Sequence, residues 1–171
     1  MIEILATKLA VKIKHIVPDH PASEAVLKFS LGLLINAISI IFLNVAISML
    51  TGKTRETIII LFSFAILRQV SGGLHLKSGL GCVIGTTAMV TVLSLLHLNG
   101  LWTQILNLAG IILALIYAPS GIGKQSRIPP KFYPLLKIVT CFIIALNILI
   151  QSSVLALSFF VQCVTLIKFR R

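Results

Sequence analysis

Residues 25–50 read AVLKFSLGLLINAISIIFLNVAISML. Lys28 is the one charge in that run. It is longer than the ~20 apolar residues that a helix needs to cross the hydrocarbon core of a bilayer. Five more apolar stretches follow, at 56–70, 78–98, 100–118, 135–150 and 153–168. None alternates with a period of two, which argues against an outer-membrane β-barrel. The last two lie in one piece with no charge between them, too long for a single span, and Gln151-Ser152-Ser153 is the expected turn. In the second, only Thr57–Leu67 is free of charge, so it is expected to tilt, kink or re-enter. A four-span arrangement with two re-entrant segments therefore stands beside the six-span one.

The composition supports the same class. Hydrophobic residues make up 57 % of the 171, against 15 Lys or Arg and 4 Asp or Glu. So few charges cannot cover the surface of a small water-soluble monomer, and disorder is excluded by the same numbers. A net charge of +11 would suggest nucleic acid in a soluble protein. Here the basic residues sit between apolar runs, where they set membrane orientation, and no nucleic-acid partner is expected. The expected fold is all-α: one integral membrane domain over 1–171, with a helical bundle over 25–168 and an N-terminal amphipathic helix within 1–22. Ile2, Leu5, Ala6, Leu9, Ile13 and Ile16 share one face of that helix, and Lys8, Lys12 and His15 the other. It can lie in the membrane interface or pack on the bundle. Its spread lysines leave no apolar core of a secretory signal peptide.

Charge also predicts topology. With the N-terminus in the cytoplasm and six crossings, 13 of the 15 basic residues fall inside, and Lys53 and Arg55 alone fall outside. The bias places both termini and the 69–78 loop on the cytoplasmic side. Within the spans stand Asn36, Asn44, Gln104, Asn107, Asn147 and Gln162. They can bond between helices or line a polar path.

One region departs from the apolar pattern. Residues 68–82 read RQVSGGLHLKSGLGC, and Gly72, Gly73, Gly79, Gly81 and Gly85 cluster there. A cysteine thiolate is a nucleophile and a neighbouring imidazole can take its proton. Cys82 is expected in the first turn of a helix, whose dipole favours the thiolate, with Arg68 and Lys77 adding positive charge. One straight helix over 75–82 would hold His75 and Cys82 about 10.5 Å apart along the axis, too far for proton transfer. The chain must therefore turn between them, and Gly79 and Gly81 would permit it. The plainer alternative is a His and a Cys that simply pack at a helix end. No carboxylate is placed to orient His75, which leaves a backbone carbonyl, Gln69 or Ser71.

Elimination narrows the chemistry. The one Asp, Asp19, precedes the first span, so no aspartyl dyad exists, and Glu56 falls on the outer side. No His-Glu-x-x-His motif occurs, and His75 with Cys82 lacks a second ligand pair, so neither metal nor cofactor is expected. Cys141 and Cys163 lie inside apolar runs as packing residues, and three unpaired cysteines imply no disulfide framework. His15 and His97 read as interfacial residues.

Arg68, Gly72-Gly73-x-His75 and Cys82 resemble the signature of the accessory gene regulator B (AgrB) family. Tyr117-Ala118-Pro119, followed by a basic linker and Pro129, is a second match. The resemblance implies a cysteine endopeptidase of the bacterial cell membrane that cleaves a small AgrD-like precursor peptide in quorum sensing. Cys82 would be the nucleophile and His75 its base, with Arg68, Gly72, Gly73 and Lys77 in support. In many members the peptide's own cysteine attacks the acyl-enzyme thioester to close a thiolactone. A homodimer is left open. Leu76 stands where the family often has Ala, and Ser120-Gly121 where an acidic residue is common. The rival expectations are a small membrane peptide exporter without hydrolytic activity, supported by the in-span Asn and Gln residues, and a structural or adaptor membrane protein.

Overall fold

The computed structural model describes residues 2–19, 21–73, 78–122 and 128–167. Seven α-helices fill them: α1 (Ile2–Ile16), α2 (Glu24–Thr51), α3 (Thr54–Ser71), α4 (Gly79–Leu95), α5 (Gly100–Tyr117), α6 (Tyr133–Ile150) and α7 (Ser153–Val164). A short 3₁₀ turn, Pro130–Phe132, leads into α6. The last six helices fall on the six apolar runs. Four of these six helices start on a side-chain cap, and α3 and α6 do not. Ser23, Ser78 and Ser152 accept from the amides of Val26, Gly81 and Leu155, and Asn99 accepts from Trp102. Gly52 ends α2 in the left-handed conformation at φ 68°.

The 56–70 segment is one uninterrupted helix. At its start Lys53 Nζ donates to His97 Nε2 at 3.2 Å, just beyond α4. At its end Ser71 meets Ser120, just beyond α5. The turn at 151–153 also forms. Gln151 takes φ 56°, and Asn147 braces the corner by donating to the Ser152 carbonyl and accepting from the Ser152 amide.

Helix direction alternates along the chain. Asn44 Nδ2 bonds Thr87 Oγ1 at 3.2 Å, and Gly79 lies beside Asn36, so α2 and α4 run parallel in one register. Ser63 bonds Ser158 at 2.8 Å and Ser71 bonds Gln162, so α3 runs parallel to α7. Asn107 bonds Asn147 while Lys137 Nζ reaches Leu115 O at 2.8 Å, so α5 and α6 are antiparallel. One end of the bundle therefore gathers the ends of α3, α5 and α7 with the starts of α4 and α6. The other gathers Lys53 and His97.

Residues 24–35 of α2 extend past the start of α4 by about 18 Å. The amphipathic helix α1 packs antiparallel on this overhang, burying Ala6 and Ala10, with Ala6 facing Gly32. Small residues at the contact let the two backbones approach closely.

Polarity is inverted relative to a water-soluble protein. The outer surface carries Leu50 at 89 % exposure, Leu149 at 82 % and Phe42 at 74 %. Asn44, Asn107, Asn147, Thr140, Ser158 and Gln162 are buried. Such an exterior is stable in lipid, where interior polar groups must satisfy one another. Among the described residues, three helical stretches are long and apolar enough to cross a membrane: Glu24–Thr51, Gly100–Tyr117 and Pro130–Ile150. Helices α4 and α7 are shorter apolar helices. The chain is a helical membrane protein.

The interior is divided. Leu67, Ala114, Ala118, Ile144, Phe159, Cys163 and Leu166 pack together near the Ser71 end. Ile60, Val90, Leu93, Val154 and Leu157 pack toward the Lys53 end. The in-span amides bind across helices: Asn44 to Thr87, Gln104 to Ile148 O, Asn107 to Asn147, and Gln162 to Ser71. The satisfaction is incomplete: Asn36 Oδ1, Asn44 Oδ1 and Asn107 Nδ2 are buried without a hydrogen-bond partner. Replacing Asn147 with Leu leaves Asn107 Oδ1 and the Ser152 amide without their donor and acceptor. Unfolding in detergent is expected to show a loss of about 1–3 kcal/mol.

Candidate functional site

The site is built where α3 ends and α4 begins. Ser78 is extended (φ −102°, ψ 126°), and its hydroxyl and carbonyl accept from the amides of Gly81 and Cys82. The α4 helix therefore starts at Gly79, and no continuous helix runs over 75–82. Cys82 lies in the opening turn, partly exposed and with a free thiol. The amides that open a helix lack intrahelical acceptors and carry its positive dipole end. Across from α4, the Arg68 guanidinium lies within electrostatic range of the Cys82 sulfur and stacks 5.8 Å from the centroid of the Phe64 ring.

His75 and Lys77, the expected base and a supporting cation, lie outside the described residues, as do Leu74 and Leu76. On the α3 side, the Gly72 amide ends the helix on Arg68 O at 2.9 Å. Gly73 N–H then donates to Ser120 O at 2.8 Å, and Ser120 N–H donates to Ser71 O at 2.9 Å. This short parallel bridge joins the two stretches that carry the family resemblance, Gly72-Gly73 and Tyr117-Ala118-Pro119 with Ser120. The Ala118–Pro119 peptide is cis.

Glycine is required at the bridge for two separate reasons. Gly72 and Gly73 have φ of 75° and 129°, where side chains are rarely accommodated. A Cβ on Gly72 would also collide with Ser120 O and sit 2.9 Å from Ile122 Cγ1. A Cβ on Gly73 would meet Thr165 Oγ1 at 2.7 Å. Gly79 and Gly81, expected to make the turn, are ordinary first-turn helical residues with room for a Cβ at 3.6 Å or more. The unusual backbone geometry therefore belongs to the earlier glycine pair.

Gln162 was legible only as an in-span amide, yet it closes the site from the α7 side. Its Nε2 donates to Gly72 O at 2.7 Å and to Ser71 Oγ at 3.1 Å. Ser71 Oγ itself donates to Leu67 O at 2.7 Å. Its one proton is thus committed within α3, which leaves Ser71 Oγ to act toward other groups as an acceptor only. Gln69, the other side chain considered for orienting His75, is exposed. Ser120 carried no catalytic signal in the sequence, because its part is played by backbone atoms. The other cysteines sit elsewhere: Cys163 is fully buried in α7, and Cys141 is partly buried on α6.

A half-exposed thiol at a helix start, beside an arginine and a glycine-built backbone bridge, at one end of a membrane helical bundle, defines a candidate thiol site of a polytopic membrane protein. The model of the accessory gene regulator B family matches residues 3–168, and the chain belongs to that family. A relative from Halalkalibacterium halodurans, described only as AgrB-like, is 28 % identical over 120 residues. That match covers 70 % of this chain and 61 % of the relative, so the chain spans about three fifths of its length. No solved structure matches the chain.

The two kinds of glycine give a direct contrast. Gly72→Ala is expected to destabilise the protein by about 1–3 kcal/mol, through forced backbone strain and collision with Ser120 O. Gly81→Ala is expected to be neutral or to stabilise by up to ~1 kcal/mol, as in any helical position with room. Thermal unfolding of both variants in detergent checks the pair.

Proposed function

We propose that this protein is a membrane-embedded cysteine endopeptidase that processes a small AgrD-like signalling-peptide precursor in a bacterial cell membrane. The observation that carries the reading is the placement of Cys82, in a chain of the AgrB family, within the first turn of α4 and beside Arg68. Cys82 is the nucleophile and His75 the general base. Arg68 and Lys77 are the supporting cations, and Gly72 and Gly73 shape the backbone that leads to His75.

The chemistry follows in two steps. His75 takes the Cys82 proton, and the thiolate attacks the carbonyl carbon of the scissile peptide bond. As the C–N bond breaks, the proton passes from His75 to the leaving nitrogen, and the C-terminal tail departs as a new amine. The N-terminal fragment stays on Cys82 as a thioester. The amides of Gly79 and Leu80, which open α4 ahead of the two that Ser78 accepts, are the ones suited to stabilise the oxyanion. Attack by a second thiol within the bound peptide then exchanges one thioester for another, a step with little driving force of its own. Water must be kept out for that transfer to win over hydrolysis, which suits a site at the edge of a membrane bundle.

Orientation supports the reading. With both termini in the cytoplasm, Cys82 and His75 face the compartment in which a new precursor is made. The basic excess on that side attracts an acidic tail. The exporter alternative drew on the in-span amides, but most of these bond each other or facing helices instead of opening onto a path.

Co-expression with a precursor encoded beside the gene, read by mass, tests the reading. Cleavage is expected to be lost in Cys82→Ala, Cys82→Ser and His75→Ala, by a factor of about 10³ or more. Cys141→Ala and Cys163→Ala are expected to retain it where the protein folds. Cleavage that survives Cys82→Ala or His75→Ala would overturn the dyad; an exporter would instead move an already mature peptide and tolerate Cys82→Ala.

A further inference from the structure

We infer that Gln162 is a positioning residue for the thiol site, holding from α7 the backbone by which the chain leaves α3 for His75. The inference rests on the reading of Cys82 and His75 as nucleophile and base.

The case begins with cost. Gln162 is completely buried in a membrane bundle. A buried carboxamide there is expensive unless all of its groups are bonded, and an apolar side chain of similar size would pack without that penalty. Its bonds go to one place. Nε2 spends its two donors on Ser71 Oγ and Gly72 O, and Oε1 accepts from Thr165 Oγ1 at 3.3 Å. The one Thr165 proton goes mainly to Gln162 O at 2.7 Å, with Oε1 the longer, shared acceptor, so the hydroxyl sits between the side chain and its own helix.

The target is equally specific. Gly72 lies beyond the helical bonding of α3, so its carbonyl needs a partner from elsewhere. At φ 75° and ψ −142° that carbonyl turns away from the helix axis, and Gln162 supplies the 2.7 Å donor. On the other flank Gly73 N–H is held by Ser120 O. Thr165 Oγ1 and Gln162 Nε2 also lie 2.7 and 3.3 Å from where a Gly73 Cβ would stand. The Gly72–Gly73 segment is thus wedged between the Ser120 loop and α7. Its direction is set by three polar groups, and Gln162 is the one side chain among them that reaches Gly72 O. His75 follows two residues later in the sequence. A loosened exit would misplace the base relative to Cys82, and a misplacement of about 1 Å can cost ~100-fold in rate.

The test uses the full-length protein in lipid nanodiscs with the precursor that the wild type cleaves. Gln162→Leu is expected to lower kcat by about 10- to 100-fold with KM within about twofold, because the loss falls on the chemical step. A second readout needs no substrate: the pH profile of Cys82 alkylation by iodoacetamide, followed by mass on the Cys82 peptide. Its midpoint is expected to move upward in Gln162→Leu as the thiol loses its aligned base. If Gln162→Leu does not fold, Thr165→Val removes only the hydroxyl that orients the carboxamide, and a smaller change in the same direction is expected. Wild-type kcat and pH profile in a folded variant would overturn the inference, as would a raised KM with unchanged kcat. Cys82→Ala is run in parallel. If it still cleaves, the catalytic reading itself has failed. If it is inactive while Gln162→Leu behaves as wild type, the role of Gln162 alone has failed.

Discussion

Two backbone hydrogen bonds between Ser71-Gly72-Gly73 and Ser120 are the constraint on which this end of the molecule depends. They join the end of α3 to the loop after α5, segments far apart in sequence. They require glycine on one side, because Ser120 O occupies the space a Cβ would take. They also determine how the chain leaves α3. From there it must return to Ser78, cap α4 and place Cys82 in the opening turn beside Arg68. The α7 helix completes the arrangement through Gln162, so three helices that run in the same direction meet at one small assembly of polar groups.

That assembly is possible because the rest of the bundle resolves its polarity in the same manner. A helix in lipid gains little from burying apolar side chains against apolar neighbours, so association relies on close packing and interhelical hydrogen bonds. Asn44 with Thr87, Ser63 with Ser158, and Asn107 with Asn147 tie the helix pairs α2–α4, α3–α7 and α5–α6. Ala6 against Gly32 supplies the close approach of α1 to α2. The same physics explains the surface. Apolar residues cover the outside, and basic residues concentrate toward the end that holds the thiol site.

Much of this is legible in the sequence. Six apolar runs and their polar breaks predict six helices, and the Gln151-Ser152-Ser153 corner falls where it forms. Cys82 in a first turn follows from the apolar run that begins beside it. The bridge is not legible, because pairing between Gly72 and Ser120 uses backbone atoms that any residue pair could offer. Gly79 and Gly81 drew the expectation of a turn between His75 and Cys82, yet both are helical, and the positive φ angles stand at Gly72 and Gly73, ahead of His75: composition shows where glycines cluster but not which of them needs a positive φ. Gln162 was visible as a polar residue in an apolar run. Its role depends on which carbonyl it meets across the bundle, and only the packed structure supplies that.

The proposed chemistry makes Cys82 the atom on which the substrate is carried, and intact-mass measurement of the protein during turnover tests this most directly. The protein is mixed with its precursor peptide, quenched in acid at early times and digested. The account predicts an adduct on the Cys82 peptide with the mass of the precursor's N-terminal fragment, removable by hydroxylamine as a thioester must be. An adduct on Cys141, Cys163 or a serine, or steady cleavage at every early time with Cys82 unmodified, would contradict it.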